Sequence, residues 1–134
     1  MPTRAPLLSD QIGVLVVEDE PILLLETADV FTEANMSVFE ARHADEALAI
    51  LSVRDDIRVV ITDLDMPLGG MGGHEFVRSV TARWPEIGVV VVSGIDRPRS
   101  GQLPSGVQFR SKPCDGAELV SAAYAIVSRQ TGSI

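Results

Sequence analysis

Cysteine is nearly absent: the 134 residues include one, Cys114. It has no partner for an internal bridge, so the fold must stand on its core, and a reducing cytoplasm is the simplest compartment. Aromatic residues are scarce at 4%, which leaves Leu, Ile and Val to fill that core. Long apolar runs are missing too. No stretch approaches the roughly 18 apolar residues of a membrane span, and Met1 to Gln11 lacks the apolar centre of a secretory signal. Positive charge is the last shortage. Against 19 Asp and Glu there are 11 Lys and Arg, a formal net charge of -8. That balance repels a phosphate backbone and speaks against nucleic-acid binding.

What is present is an ordinary globular composition, 46% hydrophobic and 22% charged, at a length that suits one domain with a sizeable core. Residues Met1 to Gln11 carry two prolines and no periodicity, and are expected to be a flexible leader. The domain is expected over residues 12–129 and a tail over 130–134. Gly13 to Val17 reads as a strand. Pro21 suits a first helical turn, and Leu24, Leu25, Ala28, Val30 and Phe31 give the helix an apolar face ending near Asn35, a residue suited to a left-handed C-terminal position. Met36 to Ala41 reads as a short strand, Ala44 to Val53 as a helix, and Val59 to Asp63 as the central strand. Phe76, Val77, Val80 and Trp84 mark a third helix closed by Pro85. Ile87 to Val92 and Val107 to Ser111 complete five strands. Asp115 is placed to cap a last helix, with Glu118 three residues on. Strands alternating with helices imply a parallel sheet with helices on both faces.

Four of these strands end on polar groups. Gly13 to Val17 runs into Glu18-Asp19, Val59 to Ile61 into Thr62-Asp63, Val89 to Val92 into Ser93, and Val107 to Ser111 into Lys112-Pro113. Carboxyl ends of parallel strands share one edge, where such sheets bind ligands. Clustered carboxylates repel unless a cation joins them or one is protonated, so Glu18, Asp19 and Asp63 point to a hard divalent ion. Mg²⁺ takes oxygen ligands, commonly one or two carboxylates with water and phosphate. With Lys112 and Ser93 to hold phosphoryl oxygens, a carboxylate is the natural nucleophile of aspartyl-phosphate chemistry.

These pieces, in this order over residues 12–129, resemble the receiver domain of bacterial two-component response regulators. Glu18-Asp19 is similar to that family's acidic pair, Asp63-Leu64-Asp65-Met66-Pro67 to its phosphoacceptor motif, Ser93-Gly94 to its hydroxyl switch and Lys112-Pro113 to its terminal lysine and proline. Each piece alone is weak; the ordered set is specific. The resemblance implies a flavodoxin-like sheet of order 2-1-3-4-5 and a cis Lys112-Pro113 peptide. It implies phosphorylation of Asp63 by a histidine kinase or histidine phosphotransfer protein. Mg²⁺ would be held by Asp19, Asp63 and the Asp65 backbone carbonyl, with Glu18 acting through water. Lys112 would grip the phosphoryl group, and Ser93 and Phe109 would switch together toward an unknown downstream protein.

Two departures stand out. The loop after Pro67 is longer than the family's usual turn by about two residues, and residues 94–106 are poor in helix formers, so the family's fourth helix is expected to be short or degenerate. Other readings also remain open. Asp63-Leu64-Asp65 has the spacing of an aspartate-nucleophile phosphatase with a second acid as proton donor. The chain could equally be a receiver module from a hybrid histidine kinase, or a binding module that kept the fold without phosphorylation. The expected protein is a stand-alone signalling phosphoacceptor rather than a turnover enzyme. His43 and His74 are expected at the surface, and Glu18 and Asp19 are further candidates to cap the first helix.

Overall fold

The computed structural model describes residues 12–65, 70–94 and 103–130. Among them are five strands and four helices: β1 (Gly13–Val17), α1 (Pro21–Glu33), β2 (Ser37–Ala41), α2 (Ala44–Val53), β3 (Ile57–Asp63), α3 (Gly73–Arg83), β4 (Gly88–Ser93), β5 (Gln108–Ser111) and α4 (Gly116–Gln130). The strands form one sheet in the order β2-β1-β3-β4-β5, and every neighbouring pair is parallel. The five-stranded flavodoxin-like arrangement expected from the sequence is therefore present. The segments expected as leader, the Met66-Pro67 turn with the first part of the loop after it (66–69), most of the helix-poor stretch before Leu103, and residues 131–134 of the expected tail lie outside the described residues.

Central strands are apolar on both faces because helices cover both. All five residues of β1 are buried, as are all but Arg58 in β3. The edge strands β2 and β5 are only partly covered. On one face α2 and α3 set Ala47, Leu51, Phe76, Val77 and Val80 against Leu15, Val60 and Val91. On the other, α1 and α4 set Leu24, Phe31, Leu119, Ala123 and Val127 against Val14, Val16, Ile61 and Val90. Phe31 and Phe76 are both 0% exposed, and burial of a side chain of that size stabilises by roughly 1.5–3 kcal/mol.

The α1 face differs from expectation at Leu25, and Val30 is only half-buried. Leu24, Ala28 and Phe31 are buried, but Leu25 is 57% exposed. Positions 24, 28 and 31 follow the helical repeat, and residue 25 stands about 100° around from residue 24. The helix ends as its sequence suggests: Asn35 adopts φ 65° and its N–H donates to the Thr32 carbonyl at 2.9 Å. Among the described residues no helix is long and apolar enough to cross a membrane.

Two local features aim the sheet's carboxyl edge. The chain leaves β1 for β2 on one side and returns to β3 on the other, so the ends of β1 and β3 flank the point where strand order reverses. At the start of α3, a Cβ on Gly73 would collide with the Leu64 carbonyl, so only glycine lets this helix begin so close to the end of β3. At the opposite edge α4 runs through Gln130, the residue the sequence placed at the head of the tail. Its amide Nε2 donates to the carbonyls of Arg58 (2.9 Å) and Glu86 (2.8 Å), tying the helix end to the chain where β3 and β4 enter the sheet.

Candidate functional site

Each polar group is carried to the edge by a strand whose apolar residues anchor it. β1 delivers Glu18 and Asp19, β3 ends on Asp63, β4 ends on Ser93, and Lys112 directly follows β5 and is joined to Pro113 by a cis bond. The register pairs Asp63 with Val92 and Ser93 with Ser111, so these ends lie level.

The first helix does not draw on the acidic pair for its cap. Glu20 takes that role, its carboxylate accepting from the Ile22 N–H at 3.0 Å, which corrects the alternative that Glu18 or Asp19 caps α1. Glu18 instead accepts from the Glu20 N–H at 3.2 Å and turns toward the pocket. Oxygen atoms of Glu18, Asp19 and Asp63 lie within 4.8 Å of one another. Glu18 and Asp63 are buried, at 7% and 5% exposure.

Lys112 closes the cluster from the other side. Its Nζ is 3.1 Å from Asp63 Oδ2 and 3.3 Å from Glu18 Oε1. Asp63 Oδ1 accepts from the Asp65 N–H at 2.9 Å, so the two oxygens of Asp63 are held by different partners. Burial pushes the carboxyls of Asp63 and Glu18 above the ordinary carboxylate range, and the bonds they accept from backbone N–H groups and from Lys112 offset this only in part. Burial pulls the Lys112 ammonium down, but its hydrogen bond and attraction to Asp63, with the charge of Glu18, carry it above the usual lysine value. All three groups hold protons more tightly, for two reasons: burial disfavours the charged carboxylates, and the carboxylates beside Lys112 favour its charged ammonium.

A hard cation fits this donor set, because every ligand on offer is a carboxylate oxygen and the existing charges are incompletely balanced. A half-open cavity of about 610 Å³ adjoins the cluster, bounded by Glu18, Asp63 and Lys112 and by Leu23, Thr27 and Leu119.

Ser93 is 4% exposed, and its hydroxyl donates to Asp65 Oδ2 at 3.0 Å. The receiver resemblance used the Asp65 backbone and the phosphatase alternative used its carboxyl as a proton donor, but neither pointed to this contact with Ser93; the spacing Asp63-x-Asp65, which keeps alternate residues of an extended chain on one side, was the available signal. Phe109 pairs in register with Val91, one side-chain repeat before Ser93, and is partly buried against the core on the α2 and α3 face. In α4, Asp115 accepts from the Ala117 N–H at 3.2 Å. Glu118 does not complete a reciprocal cap there: its carboxylate pairs with Arg110 Nε at 3.0 Å. His43 is exposed and accepts from the Glu46 N–H at the start of α2. His74 is half-buried, deeper than its sequence context suggested.

The family model described as the response regulator receiver domain matches residues 14–124. The hydrogenase transcriptional regulatory protein HoxA of Cupriavidus necator is 40% identical over 87 residues, covering 63% of this chain and 17% of that protein. The response regulator protein FleR of Pseudomonas aeruginosa is 26% identical over 110 residues, covering 80% and 23%. The chain thus spans less than a quarter of either relative. Among solved structures, a response regulator receiver protein from Sinorhizobium medicae superposes with a TM-score of 0.80 at 22% identity, covering 89% of this chain and 96% of that one. At that identity the likeness speaks for the fold alone.

Proposed function

Because the chain belongs to the response regulator receiver domain family of two-component signalling, we propose that Asp63 is its phosphoacceptor, phosphorylated in the cytoplasm by the phosphohistidine of a histidine kinase or histidine phosphotransfer protein. The observation that carries the reading is the meeting of Lys112 Nζ with Asp63 Oδ2 at 3.1 Å inside a cluster of two further carboxylates. An oxygen of Asp63 attacks phosphorus, the P–N bond to the donor imidazole breaks, and that nitrogen takes up a proton from solvent. The Asp65 N–H keeps the Asp63 carboxylate from rotating, and the Lys112 ammonium shifts from carboxylate to phosphoryl oxygen as charge develops there.

Asp19, Asp63 and the Asp65 backbone carbonyl would hold Mg²⁺, with Glu18 acting through water. The ion supplies charge neutralisation for phosphoryl oxygens. The Ser93 hydroxyl then turns to the phosphoryl group, Phe109 follows, and the altered surface engages a downstream protein.

Intact-mass measurement after acetyl phosphate and Mg²⁺ tests this. One added phosphoryl group is expected on the wild type, none on Asp63→Asn, and a slower, lower yield on Lys112→Ala. Sustained hydrolysis of a generic phosphomonoester that requires Asp63 would instead make the protein an aspartate-nucleophile phosphatase, with Asp65 as its second acid.

A further inference from the structure

Between Ser93 Oγ and Asp65 Oδ2, 3.0 Å apart, the serine must be the donor, because a carboxylate only accepts. A hydroxyl has one proton. It can serve Asp65 or an oxygen of a group on Asp63, but not both at once. The two acceptors sit on one short segment, since the Asp65 N–H also holds Asp63 Oδ1 at 2.9 Å. The serine backbone is fixed independently: its carbonyl accepts from the Lys112 N–H at 2.9 Å, and β4 pairs on both sides. Only the side-chain rotamer is left to change.

From this geometry we propose that Asp65 is a positioning residue whose carboxylate keeps the Ser93 hydroxyl aimed away from the phosphoryl site, so that phosphorylation must win the proton from it. The inference rests on Asp63 being the phosphoacceptor. It assigns the Asp65 side chain a role separate from that of its backbone carbonyl. Hydrogen bonds to charged groups are among the stronger ones in proteins, so the carboxylate sets a threshold for the switch. Loss of that bond makes a phosphoryl group, or a mimic of one, easier to accommodate.

A double-mutant cycle tests the coupling with beryllofluoride and Mg²⁺ as the probe, affinities being read by calorimetry on wild type, Asp65→Ala, Ser93→Ala and the double variant. Asp65→Ala is expected to tighten binding about tenfold in the Ser93 background and to lose most of that gain in the Ser93→Ala background. Removal of negative charge alone would help both backgrounds equally. Asp65→Asn, which keeps a neutral acceptor, should fall between and serves if the alanine variant folds poorly. A metal-free readout accompanies these: in Asp65→Ala the Gly94 and Lys112 amide resonances should move toward their positions in the beryllofluoride-bound wild type. Equal gains in both backgrounds, or no gain in either, overturn the proposal while leaving Asp63 as acceptor. Failure of the wild type to bind the probe, together with no phosphoryl gain by mass, overturns the phosphoacceptor reading and this inference with it.

Discussion

Lys112 Nζ and Asp63 Oδ2 lie 3.1 Å apart although 49 residues separate them, each at the carboxyl end of a different strand. The contact joins the most buried acid of the cluster to a cation that, among the described residues, is the one paired with it. The same ammonium is shared with Glu18 at 3.3 Å, so a single positive charge faces more than one negative one. A pocket left in that state is poised to accept further positive charge, and several consequences can be measured.

The first concerns stability against pH. Because Asp63 titrates above the ordinary carboxylate range in the fold, its favourable contribution is present below about pH 4 and is lost as pH rises through the raised folded value. Asp63→Asn removes the buried charge while Glu18 still pairs with Lys112. Without divalent cations, the variant should melt at a higher temperature than wild type near pH 7.5, and the two should converge toward pH 4. Thermal melts across that range check the sign, and a less stable variant at neutral pH would contradict it.

Divalent cation should reverse that disadvantage. Mg²⁺ is expected to raise the wild-type midpoint by mass action, with a smaller effect on Asp63→Asn, and Asp19→Asn should weaken binding at least about tenfold. Since the Glu18 and Asp63 carboxyls hold protons to higher pH than ordinary acids, binding should release protons, more of them as pH falls below neutral. Calorimetry in buffers of different ionisation enthalpy measures that release.

Adjacent glycines should respond unequally to alanine. A Cβ at Gly73 meets the Leu64 backbone, whereas at Gly72 it meets nothing within 4 Å. Gly73→Ala should cost about 1–3 kcal/mol through forced displacement of α3, and Gly72→Ala, at the helix N-cap where glycine is preferred to alanine, roughly 0.5–1 kcal/mol. Urea titrations compare them. Displacement at Gly73 should also weaken Mg²⁺ binding, because Leu64 lies between Asp63 and Asp65.

Gln130→Ala should destabilise by about 1–2 kcal/mol, since the Arg58 and Glu86 carbonyls lose the amide that bridges them. The site lies at the other edge of the sheet, so Mg²⁺ affinity should not change. A matching loss in urea midpoint with unaltered cation binding is the expected result.

Much of the architecture was legible because its signals are local. The run from Val59 to Asp63 announces a buried strand through composition alone, Asn35 marks the end of α1 by tolerating a left-handed backbone, and Asp115 caps α4 as its side chain suggests. Local signals also misled where neighbours compete. Leu25 is as apolar as Leu24 yet faces solvent. Glu20 caps α1 in place of Glu18 or Asp19. Glu118 leaves its own helix cap for Arg110, because a charged partner on β5 outbids a backbone N–H.

From residue order alone came the alternating elements, the parallel sheet and the acids, hydroxyl and ammonium at four strand ends, because hydrophobic period and turn chemistry act over a few residues and are written where they act. Which oxygen of Asp63 faces Lys112, and which acceptor holds the Ser93 hydroxyl, was decided only when the strands came together in order. Hydrogen bonds depend on tenths of an ångström between side chains far apart in the chain, and only the packed sheet brings those side chains that close.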